Sequence, residues 1–143
     1  MTPPTPSWFS TAIEEVNAAL SAQRLAHGIL IHEDPGAGGF ELARWIAQRV
    51  NCVASSAPCG ECQSCRWVAA DQHPDVTRLS PEGDSKQILI QSVRDLSADM
   101  ALTAHGRGYK IAIVSPAEAM NVFAANALLK TSRNRRRAPW CCW

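Results

Sequence analysis

Apolar residues recur along this chain at two different periods. Ile13, Val16 and Leu20 stand at i, i+3 and i+7, which predicts an amphipathic helix with Ser7 or Ser10 as its N-cap. Residues 28–32 form a short apolar run with β-branched members and predict a buried strand. Residues 34–39, rich in Gly with one Pro, break the chain into a loop. A second helix follows, with Leu42, Trp45, Ile46 and Val50 on one face. Residues 66–70 extend a short helix, His73-Pro74-Asp75 is a turn, residues 76–79 a short strand and residues 81–87 a polar loop. Ile90, Val93, Leu96 and Met100 mark another helix. Gly106-Arg107-Gly108 turns the chain into residues 110–114, a second buried strand. Met120, Phe123, Ala124, Ala127 and Leu128 give a strongly amphipathic helix. Strand and helix alternate, which predicts an α/β fold with a parallel sheet. No internal repeat is present.

Composition narrows the class. The chain has 143 residues, 46% of them apolar and 19% charged, and a formal net charge of +1. That length holds one domain or part of a larger one, and it excludes a large multidomain enzyme. The charge is too small to argue for nucleic acid or a membrane surface. The apolar runs fall well short of about 18 residues, so no transmembrane helix is expected. Residues 1–6, a Pro/Thr lead, read as disordered and have no basic region followed by an apolar core. A cytoplasmic, reducing setting is therefore expected.

The charge is unevenly placed. Residues 132–143, SRNRRRAPWCCW, carry Arg133, Arg135, Arg136 and Arg137, two tryptophans and two cysteines. Without them the chain has 10 basic and 13 acidic residues, a charge of −3. This tail reads as a basic arm with tryptophan for stacking, as a segment without a role, or as the product of a reading-frame slip.

The other four cysteines form a pattern. Cys52, Cys59, Cys62 and Cys65 have the spacing C-x6-C-x2-C-x2-C, with Gly60 easing the turn. Four thiolates satisfy tetrahedral Zn²⁺ and leave no open position, so the site predicted is a structural zinc. Disulfides and an iron–sulfur cluster are the other readings.

A strand, a Gly-rich loop and a helix also make the frame of a phosphate-binding P-loop, G-x-x-x-x-G-K-[ST]. Here the frame runs Glu33, Asp34, Pro35, Gly36, Ala37, Gly38, Gly39, Phe40. Only the second glycine, Gly38, is kept. Gly39 stands where the phosphate-pairing lysine belongs, and Phe40 where the Mg²⁺-binding hydroxyl belongs. Glu33 and Asp34 bring like charge toward any polyphosphate. After the strand at 110–114 no acidic pair follows; Glu118 reads as a helix-start carboxylate. No catalytic residue and no bound ATP are expected. His27 and His32 read as strand-end packing, His73 as a turn residue, Trp45 and Trp67 as core, and Lys130 as a helix-end cation.

These residues resemble the delta-prime subunit family of the bacterial DNA polymerase III clamp loader, within the AAA+ group. The residues that carry the resemblance are 24–30 before the loop, the four-cysteine insert, His73-Pro74-Asp75, Asn126-Ala127-Leu128-Leu129-Lys130-Thr131, and the degraded P-loop. It covers roughly residues 7–131. It implies an incomplete AAA+ P-loop-type three-layer domain over 7–131, with residues 52–65 as a zinc module and 132–143 as an aberrant basic tail from a frame slip or truncation. It also implies a non-catalytic stator, partnered by clamp-loader motor and delta subunits and touching DNA only through the complex, with no membrane partner. A divergent ATP-binding motor subunit and a zinc-ribbon nucleic-acid module are the alternative functions. In the AAA+ strand order the first and third strands do not touch. The strand between them would come after residue 131, so a sheet of three strands with an empty central slot is expected, and with it a truncated, impaired chain that is unstable alone and does not join a clamp loader.

Overall fold

Every residue from Ile111 to Val114 is buried, which requires a covering layer on both faces of the strand they form. Side chains alternate along a strand, and the two sets go to different cores. Ile111 and Ile113 pack with Phe9, Val16, Leu42, Trp45, Ile46 and Val68. Ala112 and Val114 pack with Leu79, Ile88, Val93, Leu96, Ala124 and Leu128.

The computed structural model describes residues 7–26, 28–34, 36–102, 105, 108–133 and 140–142. The expectations for residues 1–6, His27, Pro35, Gly106, Arg107 and Arg135 to Arg137 lie outside them. The strands are β1 Gly28–Leu30, β2 Val76–Leu79, β3 Ile111–Val114 and β4 Trp140–Cys142. They pair in parallel in the order β1-β4-β3-β2. The helices are α1 Ser10–Ser21, α2 Gly39–Asn51, α3 Gln63–Ala69, α4 Ile90–Met100 and α5 Val122–Arg133. Helices α1, α2 and α3 supply the first core, α4 and α5 the second. The expected three-layer α/β fold with a parallel sheet is what forms.

Several expectations are corrected. The central slot is not empty: Trp140–Cys142 runs between β1 and β3, with Cys141 in register with both Ile29 and Ile113. Residues that read as an aberrant tail thus complete the ladder that β1 and β3 cannot make with each other. β1 ends at Leu30 and is not buried on both faces. It is an edge strand, Ile29 packs inward, and Leu30 is 74% exposed. Neither Ser7 nor Ser10 caps α1. Ser7–Phe9 forms a 3₁₀ turn, Phe9 takes the cap position without a side-chain bond, and Ser10 is already helical. Phe123 fits the helical period but is 71% exposed, because the face α5 buries runs through Ala124 and Leu128. Glu118 is exposed in a 3₁₀ turn, Ala117–Ala119, ahead of α5. His32 is exposed beyond β1 instead of packing at its end.

Candidate metal centre and anion loop

Cys52 is the C-cap of α2, and Cys62 is the N-cap of α3, where its sulfur accepts the Cys65 N–H at 3.4 Å. Between them Gly60 takes φ +74°, a left-handed conformation that costs glycine little. The turn brings all four sulfurs within 4.8 Å of one another. Cys52 Sγ lies 3.6 Å from Cys59 Sγ and 3.9 Å from Cys62 Sγ. A tetrahedral ion with metal–sulfur bonds of about 2.3 Å needs sulfurs about 3.8 Å apart. The four thiols are free, so the donor set fits one closed, all-sulfur ion.

Backbone N–H groups favour thiolate at Cys59, whereas burial disfavours it at Cys65. The Cys62 N–H at 3.3 Å, followed by that of Glu61, draws the Cys59 thiol down to about 6. Burial pushes the Cys65 thiol up to about 12. A cation among the four sulfurs would offset that burial cost.

Around the cluster, residues that the periodicity did not single out hold the module to the core. Gln48 donates to the Cys65 carbonyl at 3.0 Å. Asn51 accepts the Tyr109 N–H at 2.8 Å. Both are buried amides on the apolar face of α2, and a polar residue inside an apolar stripe is the signal that would have found them. Asp75 is 2% exposed and accepts the His105 backbone N–H at 2.8 Å, with His105 Nδ1 3.0 Å away. Lys110 is buried too, and its Nζ reaches the Asp99 carbonyl at 2.7 Å and the Asp99 carboxylate at 3.2 Å.

Ser64, His73 and Asp75 lie together but make no catalytic triad. The Asp75 backbone N–H donates to His73 Nδ1 at 3.0 Å, so Nε2 carries the proton and donates to Ser64 Oγ at 2.9 Å. An imidazole that donates to the hydroxyl cannot take its proton. His73 fastens the turn to α3, as a turn residue. Burial holds its pKa below the ordinary 6.5, partly opposed by Asp75. The unfolded chain therefore binds the proton more readily, and stability is expected to fall as pH drops from about 6.5 toward the lowered folded value. Urea midpoints of the parent and H73Q, compared between pH 7 and 5, test this. A parent curve no steeper than that of H73Q would contradict it. Trp67, expected in the core, is 38% exposed and meets the His73 ring edge-on at 6.0 Å.

The Gly-rich loop is the second feature. Gly36 and Gly38 take φ +85° and +97°, and Gly38 is the N-cap of α2. The Gly39 N–H, at the helix start where an anion is favoured, donates to the Glu33 carboxylate. A Cβ on Gly39 would meet the Glu33 carboxyl carbon at 2.7 Å, so the carboxylate lies directly over this backbone. Asp34 is exposed and its carbonyl closes the turn by accepting the Ala37 N–H at 3.0 Å. Phe40 offers no hydroxyl. The Arg44 and Arg78 guanidiniums lie 4.7 and 4.3 Å from its ring centroid, and Asp71 bridges the two arginines at 3.6 and 3.9 Å. Among the P-loop frame residues, Glu33, Gly38, Gly39 and Phe40 meet at the start of α2.

The chain is thus an α/β protein with a small parallel sheet, a glycine loop after its first strand and a four-cysteine cluster that could hold a metal. The sequence matches the family profile described as DNA polymerase III, delta subunit, over residues 9–133, and the chain belongs to that family. It is 44% identical over 108 residues to DNA polymerase III subunit delta' of Pseudomonas aeruginosa, covering 74% of this chain and 33% of that protein. To subunit delta' of Haemophilus influenzae it is 41% identical over 111 residues, covering 77% and 34%. The chain thus spans about a third of the length of the curated relatives it matches. Its fold is like that of a DNA polymerase III, gamma subunit-related protein from Thermotoga maritima, with a TM-score of 0.53 and 18% identity over 89% of this chain and 37% of that one. Among the described residues no helix is long and apolar enough to cross a membrane.

Proposed function

We propose that this chain supplies the ATPase-fold domain of a non-catalytic subunit of the DNA polymerase III clamp loader, in which ATP on sister subunits drives loading of the sliding clamp onto primed DNA. Membership of the delta subunit family supports the assembly. Its partners are the motor and delta subunits, and DNA is met through the complex.

The observation that carries the non-catalytic role is the Glu33 carboxylate on the Gly39 N–H. A phosphate bound at a helix start uses that same donor and the same positive end of the helix dipole. An internal carboxylate already satisfies the donor, repels a polyphosphate, and has neither a lysine nor a hydroxyl beside it to offset the repulsion. The loop keeps the shape of a phosphate site without its charge. Mg-ATP titrated into the full chain by calorimetry is expected to show no saturable binding up to about 1 mM, the weak end of specific affinity. Saturable binding well below that would mark the chain as a divergent motor subunit.

The four cysteines hold zinc in this reading. A closed thiolate set of tetrahedral spacing suits an ion without redox chemistry, and it leaves no position for water. The ion is structural: it crosslinks residues 52–65, which have little apolar core of their own.

A further inference from the structure

Gln48 stands on the buried stripe of α2, at the helical spacing of Leu42 and Trp45, and is 5% exposed. An apolar side chain of similar size would fill this place without the cost of desolvating an amide. The amide instead spans to α3 and donates to the carbonyl of Cys65, 17 positions away, at 3.0 Å. Cys52 caps the end of α2, and α3 carries Cys65 with Cys62 as its N-cap, so this bond links the two helices from which three of the four sulfurs hang. The other three cysteines are half-buried, whereas Cys65 is fully enclosed. An enclosed side chain cannot swing to follow an ion, so its sulfur is placed by its backbone. The bond from Gln48 is a side-chain tether on that backbone.

We propose that Gln48 is a positioning residue of the metal centre: through the Cys65 carbonyl it fixes where the Cys65 sulfur meets the ion. This rests on the metal reading of the cysteine cluster, and the two can fail separately. Partners that orient a ligand typically contribute 10- to 100-fold to metal affinity when they are lost.

The test is titration of the full chain with Co²⁺ alone as an optical probe. The parent is expected to give the intense visible bands of a tetrahedral thiolate site. Q48M, which keeps the volume and loses the donor, is expected to bind Co²⁺ about tenfold more weakly with displaced bands. Gln91 is an exposed amide that donates to Asp95 on α4 at 2.9 Å, and Q91M is expected to leave affinity and bands unchanged. A parent without tetrahedral thiolate bands would overturn the metal reading itself. A parent that binds, with Q48M matching it in affinity and band position, would overturn the role of Gln48. Should Q48M lose the parent's helical circular dichroism, Q48L serves in its place: it suits the apolar stripe and cannot donate. Parent-like Co²⁺ binding by Q48L overturns the role equally.

Discussion

Stripping the metal is expected to lower the melting temperature of the chain by on the order of 10 °C. The module from Cys52 to Cys65 has one fully buried side chain among its ligands, Cys65, and its turn is held by N–H···S contacts of 3.3 to 3.5 Å. Such bonds are weak alone. In the proposed reading an ion supplies the crosslink, and binding free energy of an ion in a site absent from the unfolded chain is folding free energy. Zinc-finger peptides draw about 10–16 kcal/mol from it. Here α2 and α3 also pack on the sheet, so only part is lost on removal. A loss of about 3 kcal/mol corresponds to roughly that temperature shift for a chain of this size. Differential scanning calorimetry with and without chelator reads it, alongside elemental analysis for one zinc per chain. Removing Cys65 by C65S should act in the same direction, because it takes away the enclosed ligand. A melting temperature indifferent to both chelator and C65S would sink the structural role.

The second large effect contrasts two tryptophans. Trp45 is 8% exposed and packs in the core beneath α1 and α2 with Val16, Leu42 and Ile46. W45A removes a whole indole from a packed interior and is expected to cost about 3–5 kcal/mol, the transfer of the side chain plus the cavity it leaves. Domains are marginally stable, so W45A will sit near its unfolding midpoint in mild denaturant. Trp67 lies against His73 at the surface, and W67A is expected to change stability by about 1 kcal/mol or less. Urea midpoints at constant slope measure both. Equal costs for the two variants would contradict this division between core and surface.

The same contrast shows what was readable in the chain. Helical periodicity placed Val16, Leu42, Ile46, Val93 and Leu96 correctly, since burial on one face repeats with the helix turn. It failed at Phe123, because period says which residues share a face and not which face the rest of the molecule covers. The cysteine spacing identified the four sulfurs that meet, since a short turn between C-x2-C pairs leaves few other geometries. Glu33 was read as repulsive to phosphate; its seat on the Gly39 N–H needed the backbone path of the loop. Gln48, Asn51 and Asp75 were missed because their partners, the Cys65 carbonyl, the Tyr109 N–H and His105, are distant in sequence. Strand order led to the expectation of an empty slot between β1 and β3, and Trp140–Cys142 fills it. Composition alone had set that segment apart, and no period marks three residues as a strand.

The strand that fills the slot carries a kinetic consequence. Gly28 pairs with Trp140, so nearly the whole described chain must be in place before the two meet. Pairing across so long a loop costs closure entropy before any hydrogen bond repays it. During synthesis, β1 and β3 emerge first and wait with their facing edges bare until the residues of β4 arrive between them. The interval is a window for mispairing with other nascent chains, and a chaperone that binds extended apolar segments would have its opportunity there.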